Sequence, residues 1–172
     1  MNKRNFQFPA IIVLLFMFST QTRAQNDCNC CSEEYKQFDF WIGEWIVKDT
    51  LGTVLGENTI TKLEKDCMIT EYWRGNKGST GRSTNYYNTS DSTWNQLWVD
   101  NSGGVLELKG SFQNGKMILQ STAQKNKKGE LYYDQITWSL STDKSFVTQD
   151  WKRLNKQKQE IASIFLGIYR KK

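Results

Sequence analysis

The chain has 172 residues, with 23 basic and 18 acidic side chains, 13% aromatics, one proline and no histidine. Without histidine, Ser-His-Asp and Cys-His nucleophilic catalysis and histidine-rich zinc catalysis lack their base or their ligand and are excluded. The formal charge of +5 loses Lys3, Arg4 and Arg23 with the leader described next and falls to +2. The remaining lysines are scattered through turns and the C-terminal end, which argues against a nucleic-acid track.

Residues 1–24 read as a secretory signal peptide. Lys3 and Arg4 form a basic start, the Ile11 to Phe18 run is too short to span a bilayer, and Thr22-Arg23-Ala24 places small residues at both cleavage positions. Cleavage is expected after Ala24. Gln25-Asn26-Asp27 precedes Cys28 where a lipobox would be needed, so a periplasmic or secreted protein with no integral membrane segment is expected. Residues 25–37 form a Cys-containing tail, and residues 38–172 suit a single barrel domain with one core.

Four cysteines, Cys28, Cys30, Cys31 and Cys67, allow three disulfide connectivities in an exported chain. The expectation is that Cys31 ties the tail to Cys67. Cys-x-Cys-Cys also supplies thiolates, but with no histidine and only Cys67 elsewhere, neither a metal nor a cofactor is expected.

The strands begin with Phe38-Asp39-Phe40-Trp41-Ile42-Gly43-Glu44-Trp45, read as the first strand of a barrel, with Gly43 bending the narrow end and Trp45 plugging the floor. After the Asp49-Thr50-Leu51-Gly52 turn, strands are expected over Asn58 to Lys65 and Met68 to Arg74. Gly75 to Gly81 reads as a mobile glycine-rich loop that lacks the ending of a phosphate loop. Further strands follow over Arg82 to Asn88, Thr93 to Asp100, Val105 to Phe112 and Lys116 to Ala123. Asn114-Gly115 is the strongest two-residue hairpin signal, because both central residues of such a turn need positive φ. Leu131 to Leu140, Phe146 to Arg153 and Glu160 to Tyr169 complete about ten strands, and no segment shows a sustained helical period. The fold class is therefore all-β, an antiparallel up-and-down barrel in which the last strand seals against the first. Arg170 would then lie near the floor and stack on Trp45.

The aromatic opening, Cys67 followed by Glu71-Tyr72-Trp73, Ser83-x-Asn85-x-Tyr87, Trp94-x-Gln96-x-Trp98-x-Asp100 and the Gly167-x-Tyr169 ending resemble a family of small exported bacterial proteins. That family has a calycin-type, lipocalin-like barrel and mostly no assigned function, so the resemblance implies a fold and a ligand cavity without a reaction. A more distant similarity is to nitrobindin-type barrels, which hold haem through a histidine. This chain has none, which removes histidine-ligated haem.

Period-two alternation sorts the strands into faces. It groups Ile69, Glu71 and Trp73; Ser83, Asn85 and Tyr87; Trp94, Gln96, Trp98 and Asp100; and Val147, Gln149, Trp151 and Arg153. Aromatics mixed with amides and a carboxylate suit a cavity, with Trp73, Asn85, Gln96, Trp98, Gln149 and Trp151 as ligand-binding residues. A filled barrel whose polar groups bond one another is the alternative. The expected function is periplasmic binding of a small ring-bearing, sugar-like or oligosaccharide ligand. The second reading is a carbon–oxygen lyase or dehydratase on uronate-containing oligosaccharides, with Glu71, Tyr87 and Arg82 supplying acid–base chemistry and carboxylate neutralisation. Parity sets Arg74 and Arg82 against Glu71 and Tyr87, so they would meet only at the rim. A third reading is a lipocalin-like carrier of apolar molecules.

Overall fold

The computed structural model describes residues 28–172; the expected leader, residues 1–24, lies outside them. Eleven strands follow two short helical turns, α1 (Glu33–Lys36) and a 3-10 turn (Asp39–Trp41). The strands are β1 (Gly43–Lys48), β2 (Val54–Leu63), β3 (Met68–Gly75), β4 (Thr80–Asn88), β5 (Thr93–Asp100) and β6 (Val105–Gln113). They continue with β7 (Lys116–Gln120), β8 (Gln124–Lys125), β9 (Leu131–Leu140), β10 (Val147–Asn155) and β11 (Glu160–Lys171).

Ten of these form a closed antiparallel meander in which β7 passes to β9, and β11 returns to pair with β1 through Val47↔Tyr169 and Ile46↔Arg170. Closure removes both sheet edges, as an apolar last strand requires. The tiny β8 adds to the start of β9. The strand expected to run through Ala123 stops at Gln120, because the Ser121 hydroxyl takes over the ladder, accepting the Asp134 N–H at 2.9 Å. The Asn114-Gly115 hairpin forms as read, with φ of 49° and 77°.

The aromatic opening is only half a strand. Phe38 to Trp41 coil into the 3-10 turn, and Gly43, at φ 138°, makes the corner into β1, a backbone position that an L side chain rarely adopts. The coil brings residues three apart onto one side, so Phe38 and Trp41 both point into the barrel and stack 4.8 Å apart at 17°. With Trp94 and Trp138 they close one end, each fully or almost fully buried. Trp45 lies in the same core and donates its indole N–H to the Trp41 carbonyl at 2.9 Å. The floor is thus a plug of several aromatics.

Two further corrections belong to this end. Arg170 pairs opposite Ile46, which turns it outward onto Phe146; Lys171, opposite Trp45, sets its ammonium 3.9 Å from the Trp45 ring centroid and donates to the Ile42 carbonyl. The disulfides are Cys30–Cys67 and Cys28–Cys31, in place of the expected Cys31–Cys67. Cys30 is the buried member of the tail and faces the β2–β3 turn, with a Cα–Cα distance of 5.0 Å to Cys67, whereas Cys31 is exposed.

At the opposite end lie the β1–β2, β3–β4 and β5–β6 turns. The segment expected to be a glycine-rich loop is a tight hairpin there, with Gly75 ending β3 and Thr80-Gly81 beginning β4. Asn76 holds it to the first turn through Val54 O at 2.8 Å, and Asn101 holds it to the third through the Thr80 N–H at 3.0 Å. Among the described residues no helix is long and apolar enough to cross a membrane.

Candidate functional site

The lower half of the barrel is packed around Phe38, Trp41, Trp94 and Trp138, while the upper half encloses a cavity of about 500 Å³. Alternation builds it in two tiers. On β3, β5 and β10 the deeper residues are Glu71, Gln96 and Gln149, and two positions nearer the turns stand Trp73, Trp98 and Trp151. Strand β11 adds Tyr169 below and Phe165 above, with Gly167 between them. The result is an aromatic tier over a polar one.

Glycines seat the aromatic tier. A Cβ added at Gly81 would fall within the Trp98 ring, and one at Gly56 would meet both the Gly75 backbone and the Trp73 ring. Trp73 stands at 81° to Phe165 with ring centroids 5.9 Å apart. The Trp151 indole donates to Asp134 Oδ1 at 3.1 Å, and that buried carboxylate is answered by Arg153 Nε at 3.2 Å.

The polar tier is a directed chain. Gln96 donates to Asn85 Oδ1 at 2.7 Å, Asn85 to Ser83 Oγ at 2.9 Å, and Ser83 to Glu71 Oε2 at 2.7 Å. From the other side Asn58 donates to Glu71 Oε1 at 2.7 Å, and Tyr169 donates to Gln149. Burial raises the Glu71 carboxyl to about 7, against the two hydrogen bonds, which pull it down. Burial also raises the Tyr169 phenol well above its ordinary value, with the Glu71 charge adding to the effect.

The sorted faces hold for Glu71, Trp73, Gln96, Trp98, Gln149 and Trp151, which all line the cavity; Asn85, expected to bind ligand beside them, is wholly buried behind the lining and is linked to it only through Gln96 and, by way of Ser83, Glu71. The acid–base set does not assemble. Arg82 is on the outer surface, its guanidinium 4.0 Å from the Tyr72 ring centroid, because its position alternates with Ser83. Tyr87 lies towards the closed end, packed on Tyr35 and Trp94. Glu71 alone of the three faces the cavity. Asn58, Phe165 and Tyr169 were missed as site residues. Asn58 gave no motif, but Phe165 and Tyr169 had a signal, since both share parity with Gly167 on the strand expected to close the barrel.

Fold and site define a closed ten-stranded antiparallel barrel with an internal cavity, consistent with a calycin-like fold. No protein-family model matches the chain. Over 103 residues it is 28% identical to the uncharacterized protein YaiT of Escherichia coli (strain K12), a match covering 60% of this chain and 10% of that protein. The chain spans about a tenth of the length of this curated relative, and the likeness carries no activity.

Proposed function

We propose that the protein binds a small, ring-bearing, sugar-like molecule in the upper half of the barrel. The observation that carries this reading is the stratification of the cavity, with the indoles of Trp73, Trp98 and Trp151 above the amides Gln96 and Gln149. Flat aromatic faces pack on apolar ring surfaces, while amides and a phenol bond hydroxyl groups, and a volume of this size falls in the usual range for small-molecule sites. Two disulfides support an exported, oxidising compartment, in line with the family resemblance. The lyase reading keeps Glu71, whose pKa suits proton transfer near neutral pH, but has no inward arginine at the level of Glu71 and no Tyr87 beside it. The apolar-carrier reading is disfavoured by the polar tier. Titrating the protein with a panel of mono- and oligosaccharides while following tryptophan fluorescence tests the proposal. A saturable change that disappears in Trp98→Ala supports it, and no response to any member of the panel refutes it.

A further inference from the structure

The barrel buries two carboxylates and treats them differently. Asp134 is paired with Arg153, whereas Glu71 receives only the neutral donors Asn58 and Ser83. Among the described residues lining the cavity the single cation is Lys77, which belongs to the exposed β3–β4 turn at the mouth. Asn58 Oδ1, buried beside Glu71 without a hydrogen-bond partner among the described residues, adds another unanswered negative dipole end. A carboxylate in such surroundings is costly until a positive charge joins it.

Above it the protein places ring faces, which carry negative potential of their own. Trp73 and Phe165 form a right-angled corner, Trp98 is laid down on Gly81, and Trp151 is fixed through Asp134. Rings and carboxylate attract the same thing, an organic cation stripped of part of its water. Resting on the binding reading above, we propose that the natural ligand carries an organic ammonium group, held between the aromatic tier and the Glu71 carboxylate, with its ring toward the mouth. Carbohydrate-like ligands of this class are amino sugars and other ring-bearing amines.

The charge state of Glu71 then sets affinity. With its carboxyl titrating at about 7, cation binding is fully present above that pH and is lost as Glu71 takes up a proton below it. The other ionisable groups near the cavity are Tyr169, neutral because its phenol is raised, the Asp134–Arg153 pair, and Asp49 and Lys77 at the mouth. Asp49 is held ionised to low pH by backbone N–H groups of its own turn, chiefly that of Thr53.

The test uses the full mature chain and two probes of one shape, benzyltrimethylammonium and its uncharged carbon isostere neopentylbenzene, followed by tryptophan fluorescence. At about pH 8 the cation is expected to bind roughly tenfold or more tighter than the isostere. That advantage should shrink, at about pH 5.5 and in Glu71→Gln alike, to the smaller part that the rings supply, while the isostere binds alike in all three conditions. Equal affinities at the higher pH, or an advantage that neither acid nor the substitution reduces, overturn the inference and leave the binding reading standing. If neither probe binds, the inference falls, and the saccharide titration decides the binding reading separately. Should the variant fail to fold, the pH series on the natural sequence decides alone.

Discussion

Replacing Glu71 by glutamine keeps the side-chain volume and removes the charge, and the consequence for stability has a definite sign. The folded carboxyl titrates at about 7 against an ordinary value of 4.5, chiefly because it is desolvated. Between those pH values the folded protein holds a proton that the unfolded chain has released, so stability declines as pH rises through the window and is level above it. At about 1.36 kcal/mol per pH unit the displacement is worth about 3 kcal/mol. Glutamine does not titrate, so the variant lacks this decline. It also presents a donor where Ser83 now donates, a mismatch of about 1–2 kcal/mol at every pH. The variant should therefore be the less stable protein at about pH 4.5 and the more stable one at about pH 8.5, the difference moving by about 3 kcal/mol. Urea unfolding followed by tryptophan fluorescence, with the disulfides intact, measures it, and groups that titrate alike in both proteins cancel. A stability difference that stays constant with pH would refute the view that desolvation governs Glu71.

Three further outcomes follow from the same geometry. Gly81→Ala drives a methyl into the Trp98 ring, so it should abolish ligand-induced fluorescence changes as fully as Trp98→Ala, with circular dichroism showing the barrel intact. Removing Cys30–Cys67, which closes a loop with a sequence separation of 37, should cost about 4 kcal/mol in chemical denaturation, against about 2 kcal/mol or less for Cys28–Cys31, separated by 3. Trp41→Ala should cost about 3–5 kcal/mol by the same measurement, since the ring is wholly buried in the floor, whereas Arg82→Ala, out on the surface, should leave ligand binding unchanged.

The strands, their order and their inward faces were legible because alternation is a local property: a residue's side of a sheet follows from its parity once any neighbour is assigned. Parity, with the mix of aromatics and amides to mark the inner side, was enough to place Glu71, Trp98 and Gln149 there, and to warn that Arg82 would not join them. Asn114-Gly115 was equally readable, because its turn demands positive φ at both residues. The tertiary structure decided what parity does not encode. Whether Phe38 to Trp41 extend or coil depends on the hole they must fill at the barrel's end, and filling it with Phe38 and Trp41 together requires the tighter spacing. Cys30 rather than Cys31 meets Cys67 because the coiled tail buries one and exposes the other. The same holds for the cavity itself. Which residues face inward is a matter of chain alternation, but how far down the barrel is filled, and hence that Glu71 lies buried in a polar tier with no cation beside it among the described residues, depends on side chains from ten strands converging in three dimensions.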